Sequence, residues 1–335
     1  MVTIKEIAEK SGFSASTVSR LLNNDTTLSV SPETKKKILD TAIHLGYERK
    51  NIQPLIEKVA LLYWITDREE LEDVYFKQMR LELEKHALEQ NIELHLYKHE
   101  DGIKNIPSDI SGFIAVGPFT SDEIKTLQKK TLRGVFIDTN PVPDLYDAVL
   151  PDTVRITKKA IDYFIRQGHQ KIGFIGGTYH NPDTNMDEMD IRETTFRSYM
   201  KELGLFEEKY VFGERHFSVN DGYMVTQKAI ETLGDDLPTA FFIASDPIAV
   251  GSLQAFNESN ISIPNRVSII SVNNISVAKY VSPPLTTFHI DIAELCKTGV
   301  NLLLEQIIGQ RKITKTVLLN SELIIRKSTY EKSID

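Results

Sequence analysis

The chain has a single cysteine among 335 residues, Cys296. A lone thiol excludes an intrachain disulfide and any zinc site built from several cysteines, and its neighbours Ile292, Leu295 and Leu303 predict a buried structural role. No apolar run approaches the roughly 20 residues that cross a bilayer, and the N-terminus has no signal-peptide core. A cytoplasmic protein without a membrane partner is expected. Catalytic signatures are missing too: there is no GxxxxGK(S/T) phosphate loop, no HExxH pair and no Cys/His cluster, and Gly176-Gly177 alone is too little for a phosphate cradle. The expectation is therefore no metal, no cofactor and no enzyme. What is present is an ordinary globular composition, 41% hydrophobic and 26% charged, long enough for two or three domains.

Residues 3–23, TIKEIAEKSGFSASTVSRLLN, read as two helices around a Ser-Gly turn. Thr3 and Glu6 have capping-box spacing, Ile4, Ile7 and Ala8 form an apolar stripe, and Ser11-Gly12 supplies a left-handed exit. Ser14 restarts the chain as an N-cap. Val18, Leu21 and Leu22 give the second helix a buried face, leaving Ala15, Ser16, Thr17, Ser19 and Arg20 outward, short or cationic as contact with phosphates and base edges requires. A third helix follows from Ser31, with Pro32 and Glu33 in its first turn and Gly46 as its stop. Helices paired this way also occur in bundles that only pack. Charge favours DNA slightly: residues 1–50 carry eight Lys/Arg against six Asp/Glu, and the remainder carries 31 against 41.

Residues 48–58, ERKNIQPLIEK, read as a linker, with Pro54 interrupting any helix. Beyond it, short apolar strands such as 59–66, 92–97, 112–116 and 135–137 alternate with amphipathic stretches such as 76–88 and 121–129. The rhythm repeats through helix 153–166, strand 171–176, helices 189–203 and 223–233, strand 240–244, helix 248–258 and strand 267–272. Alternation of this kind implies parallel sheets covered on both faces, and its length implies two α/β lobes. Ligands in such folds collect at the carboxyl ends of the strands.

The segment TIKEIAEKSGFSASTVSRLLN followed by SPETKKKILDTAIHLGY closely resembles the DNA-binding head of the LacI/GalR transcription regulators. The resemblance continues through YFIRQGHQKIGFIGG at 163–177, SDPIAVGSLQAFNESNISIPNRVSII at 245–270 and PPLTTFHIDIAEL at 283–295. The stretch EELEDVYFKQMRLELEK at 69–85 is most similar to the galactose- or galactoside-responsive branch. Membership implies an α-helical helix-turn-helix DNA-binding head (1–47), a hinge (48–58) and an α/β periplasmic-binding-protein-like core (59–330) of two doubly wound parallel-sheet lobes. The chain would cross between lobes three times, giving an N-lobe of about 59–151 and 290–318 and a C-lobe of about 152–289 and 319–330. It also implies a homodimer on a pseudo-palindromic operator in double-stranded DNA, because the chain ends soon after Ile325-Arg326-Lys327 without the extra helix of tetrameric relatives. A small sugar in the interlobe cleft is the implied effector.

Matched to the family's motifs, Ala15 and Ser16 take the base-discriminating positions and Thr17, Ser19 and Arg20 follow the shared pattern. Thr3, Ser14 and Asn23 join them by capping helices or holding the backbone. Arg20 on a guanine or phosphate stands against a helix-surface ion pair. The same matching places Asp138, Arg192 in IRETTF, Phe217 in RHFSVNDGY and Asn273 in SVNN around the cleft, with Ser245, Asp246 and Ile292 beside them and Tyr75 and Phe76 closing the first-lobe side. Carboxylates, amides and arginine bind vicinal hydroxyls, and an aromatic ring packs on a sugar's apolar face. Each residue also has a structural reading: Asp138 as a turn residue, Arg192 as a helix-surface charge, the aromatics as core.

Three departures accompany the resemblance. Ser245-Asp246 stands where many relatives have Asn-Asp, and Asn273-Asn274 where they commonly have Asp-Asp, which removes charge and adds donors. With no cation besides Arg192, a neutral sugar is expected rather than a phosphorylated one. The hinge, IQPLIE at 52–57, is shortened and carries Pro54 where relatives have a minor-groove helix, leaving Leu55 or Ile56 as the wedge. Effector binding is expected to reorient the lobes and release the operator. The rival readings are a sugar-active enzyme and a sugar-binding protein that has lost DNA function.

Overall fold

The computed structural model describes residues 2–22, 28–47, 55–214, 216–309 and 311–330. Its head is three helices, α1 (Ile4–Ser11), α2 (Ala15–Leu22) and α3 (Pro32–His44). The Thr3 hydroxyl accepts from Glu6 N at 3.3 Å while Glu6 Oε2 accepts from Thr3 N at 2.8 Å, which starts α1. Gly12 ends it with φ 79°, its N–H donating to Ala8 O at 2.9 Å. Ser14 Oγ then accepts from Thr17 N at 3.0 Å and opens α2. Ile7, Ala8, Val18, Leu21, Leu22, Ile38, Leu39 and Ala42 form the head's own apolar core.

The N-lobe is an all-parallel sheet in the order β12-β5-β4-β3-β1-β2. Its strands are β1 (Ile56–Tyr63), β2 (Ile92–Lys98), β3 (Gly112–Val116), β4 (Gly134–Ile137), β5 (Asp147–Pro151) and, from far along the chain, β12 (Thr316–Leu319). The helices α4 (Asp67–Glu72), α5 (Val74–Glu89), α6 (Ser121–Lys130) and α11 (Ile292–Gly309) accompany them. β3 and β4 are buried throughout, the continuous apolar pattern of strands covered on both faces.

The C-lobe contains α7 (Thr153–Arg166), β6 (Ile172–Asn181), β7 (Met186–Met189), α8 (Ile191–Glu202), β8 (Val211–Glu214), α9 (Val219–Leu233), β9 (Ala240–Ile243), α10 (Asp246–Glu258), β10 (Ser268–Asn273), β11 (Thr286–His289) and β13 (Glu322–Ile324). Its sheet runs β13-β11-β10-β9-β6-β7, with β8 also paired to β6. All pairs are parallel except β6 with β7 and β11 with β13. The chain passes between the lobes after β5, after β11 and after β12.

Two expectations change. Ile56 is not available as a groove wedge: it begins β1, pairs with Ile92 and is buried in the N-lobe core, because the polar Glu57 and Lys58 sit on a strand and not in a linker. Leu55, just before β1, is half-buried, while hinge residues 48–54 lie outside the described residues. The stretch from Met189 is also not helical from its start, since Met189 pairs with Thr178 in a hairpin and α8 begins at Ile191.

Candidate functional site

The carboxyl ends of both sheets face a common cleft, and the polar residues there are held in unusual backbone conformations. Asp138 follows β4 with φ 65° and Asn273 ends β10 with φ 113°. Left-handed backbone at a residue other than glycine costs about 1–3 kcal/mol and persists where the surroundings impose it, which is typical of binding sites. Asp138 N donates to Val149 O at 2.9 Å, so the strand ladder itself fixes the turn. Gly177 admits another close approach: a Cβ there would lie 2.8 Å from His216 O and 3.0 Å from the Phe217 ring. The missing side chain lets Phe217 lie against the middle of β6.

Arg192 is the best-anchored side chain in the cleft. Its Nε donates to Asp190 Oδ1 at 2.6 Å, Nη2 to Oδ2 at 2.9 Å and Nη1 to Ala244 O at 2.7 Å, and the guanidinium lies 4.7 Å from the centre of the Phe217 ring. Three of the roughly five guanidinium donors are thereby used. Asp190 caps α8 and accepts from Arg192 N at 2.8 Å. Burial raises the Asp190 carboxyl, but the charge and hydrogen bonds of Arg192 outweigh it and hold the group below its usual range.

From the N-lobe, Asp73 caps α5 by accepting from Tyr75 N at 3.0 Å. The Tyr75 ring meets Phe76 edge-on at 5.4 Å. Burial pushes the Asp138 carboxyl up to about 7 against the opposing pull of the Arg192 charge and Tyr75, with Asp190 and Asp73 adding to the rise. Burial likewise raises Asp73, opposed by the Tyr75 N–H and by Arg192. The buried Ser245 hydroxyl has no hydrogen-bond partner among the described residues, whereas the buried Tyr75 hydroxyl lies near enough to the Asp138 carboxyl to lower it. Buried polar atoms are rarely left without a partner. A cavity of ≈ 480 Å³ is lined by Arg68 and Leu71 from the N-lobe and His216, Ser218, Asn220 and Asp221 from the C-lobe, none of them a residue expected of the effector site.

Two assigned effector residues do something else. Asp246 is fully buried, and its carboxylate accepts from Thr287 Oγ1 at 2.7 Å, Ile275 N at 2.8 Å and Ser271 Oγ, which fastens α10 to β10 and β11. Those bonds oppose the burial that raises its carboxyl to about 6. It supports the strand ends instead of meeting a ligand. Ile292 is buried in the N-lobe core at the start of α11, near Cys296, whose thiol burial pushes well up. Conversely, Asp73 and Asp190 were not among the expected residues, although each stands as an N-cap two positions before a residue that was.

On the head, Ala15, Ser16 and Arg20 are exposed along α2, and Thr17 and Ser19 are partly so. Thr3 and Ser14 are spent on capping. Asn23 lies outside the described residues.

Comparison with known proteins places both halves. Residues 3–50 match the model of bacterial regulatory proteins of the lacI family, and residues 161–329 match a periplasmic binding protein-like domain. The chain is 59% identical to the HTH-type transcriptional regulator GanR of Bacillus subtilis, covering 98% of this chain and 99% of that one. It is 43% identical to the regulator LacR of Lactobacillus helveticus, covering 98% of each. Among solved structures, a Lac repressor dimer bound to operator superposes with a TM-score of 0.69 at 21% identity over 98% of this chain and 99% of that one. A complex of the regulator CelR with cellobiose superposes with 0.71 at 20% identity over 98% and 100%. The capped three-helix head, the two-lobed core and these full-length matches agree that the chain belongs to the lacI family of bacterial regulatory proteins, as a transcriptional regulator and not an enzyme.

Proposed function

We propose that the protein represses a sugar-utilisation operon as a homodimer, and that a neutral, galactose-containing sugar in the interlobe cleft releases it from its operator. The observation that carries this reading is the make-up of the inner cleft. A Ser245 hydroxyl without a partner lies with the Tyr75–Asp138 pair, Asn273 and an Arg192 that has donors to spare, against the face of Phe217. Such a set suits vicinal hydroxyls and an apolar ring face. Because Asp190 already neutralises Arg192, the group offers a phosphorylated sugar little net positive charge. The similarity to the regulators GanR, LacR and GalR supports the galactoside branch. On DNA, α2 would present Ala15, Ser16, Thr17, Ser19 and Arg20 to the major groove.

Calorimetry with galactose, lactose, longer galactosides and their phosphates tests the reading. Binding of a neutral galactoside, lost in Arg192→Ala and Asp138→Ala, is the expected result. Preference for a phosphorylated sugar, or no binding by any member of the panel, would overturn it.

A further inference from the structure

β6 does not stop at the cleft. Beyond Gly177 it continues to Asn181 and returns as β7, a ladder that pairs Thr178 with Met189 and Asn181 with Met186. Polar side chains fix the turn. Asn181 Oδ1 accepts from the backbone N–H of Asp183 at 2.9 Å and of Thr184 at 3.3 Å, Asn181 Nδ2 donates to Glu188 at 2.6 Å, and His180 Nδ1 lies 3.1 Å from Asp187. Asn185 completes the reversal with φ 54°.

The tip of this hairpin touches the other lobe. The Asp183 carboxylate accepts from Ser121 N at 2.8 Å and from Ser121 Oγ at 2.6 Å, at the first residue of α6. A helix start leaves backbone donors without intrahelical partners and carries a partial positive charge. Thr120 and Glu123 satisfy part of that end through a capping box, and Asp183 takes the next donor. The Ser121 hydroxyl and N–H hold the Asp183 carboxyl below its usual range. Neither residue belongs to the effector cleft, and both are exposed.

From this juxtaposition we propose that the β6–β7 hairpin is a clasp: Asp183, gripping the start of α6, biases the two lobes toward their closed arrangement before any sugar binds. Opening the lobes then requires breaking two hydrogen bonds to a carboxylate. Solvent screening limits their strength, so removing them shifts the closed-to-open ratio by about three- to tenfold.

Pulsed electron-electron resonance on the full chain without sugar tests this. Cysteines introduced at the exposed Lys129 of α6 and Glu202 of α8 take spin labels while Cys296 stays covered, and dilution with unlabelled chains leaves one labelled pair per dimer. The parent chain is expected to show one dominant short distance. Asp183→Ala should add a longer population, Ser121→Ala a smaller amount of the same one, and Asp183→Asn, which keeps an acceptor, should fall between parent and alanine. An unchanged distance distribution in Asp183→Ala would overturn the clasp. Because the readout uses no sugar, that failure would leave the effector assignment standing.

Discussion

Two aspartates in the same cleft have opposite duties, and their surroundings separate them. Asp246 has three donors committed to it, so Asp246→Ala strands the Ser271 and Thr287 hydroxyls and the Ile275 N–H inside the C-lobe. Each orphaned donor costs about 1–3 kcal/mol, and a loss of about 3 kcal/mol or more in chemical denaturation is expected. Asp138 serves differently. Its carboxyl, raised to about 7 chiefly by burial, keeps its proton in the folded chain at pH values where the unfolded chain has released it. Its contribution to stability therefore falls as pH rises from about 4 to about 7. Asp138→Asn removes the charged form, so its thermal midpoint relative to the parent should be higher at pH 8 than at pH 5. An equal difference at both values would contradict the assignment.

At the scale of elements, Ile56 gives a sharp test. A wedge residue would alter DNA bending and leave the core alone, whereas the first buried residue of β1 does the reverse. Ile56→Ala should destabilise the core by about 2–4 kcal/mol in thermal melts. Ser14→Ala should cost the head about 1 kcal/mol through the lost α2 cap. Substituting Ala15 or Ser16 should instead redirect base preference in operator selection by about 1–3 kcal/mol per altered base pair, with the salt dependence unchanged.

The head and several core elements were legible in the sequence because caps and apolar period agreed there: Thr3, Ser14 and Gly12 mark their turns, and 112–116 and 153–166 coincide with β3 and α7. The start of β1 was hidden because Glu57 and Lys58 are polar and Pro54 precedes them. The β6–β7 hairpin was hidden because four exposed residues of β7, Met-Asp-Glu-Met, carry no buried face to generate a two-residue period. Asp246 looked like a ligand because sequence shows an acidic residue after a strand but not the three donors that converge on it from β10, β11 and Ile275.

For the whole molecule, cleft and head must exchange free energy. A 100-fold drop in operator affinity with sugar requires about 2.7 kcal/mol of coupling, well within what two lobes and a dimer supply. Gel-shift titration with the sugar found by calorimetry should show release of that order, and tightening would reverse the sign. With a net charge of −8 on the chain, operator binding should also weaken steeply with salt, since the attraction is confined to the head.

The strand order has a consequence for how the protein is made. β12 completes the N-lobe sheet and β13 the C-lobe sheet, and both lie in the last twenty or so residues of the described chain. The head's residues leave the ribosome first, and neither lobe gains this edge strand until β12 and β13 have followed every other element. A chain interrupted before β12 would keep an intact head beside two sheets that each lack an edge strand.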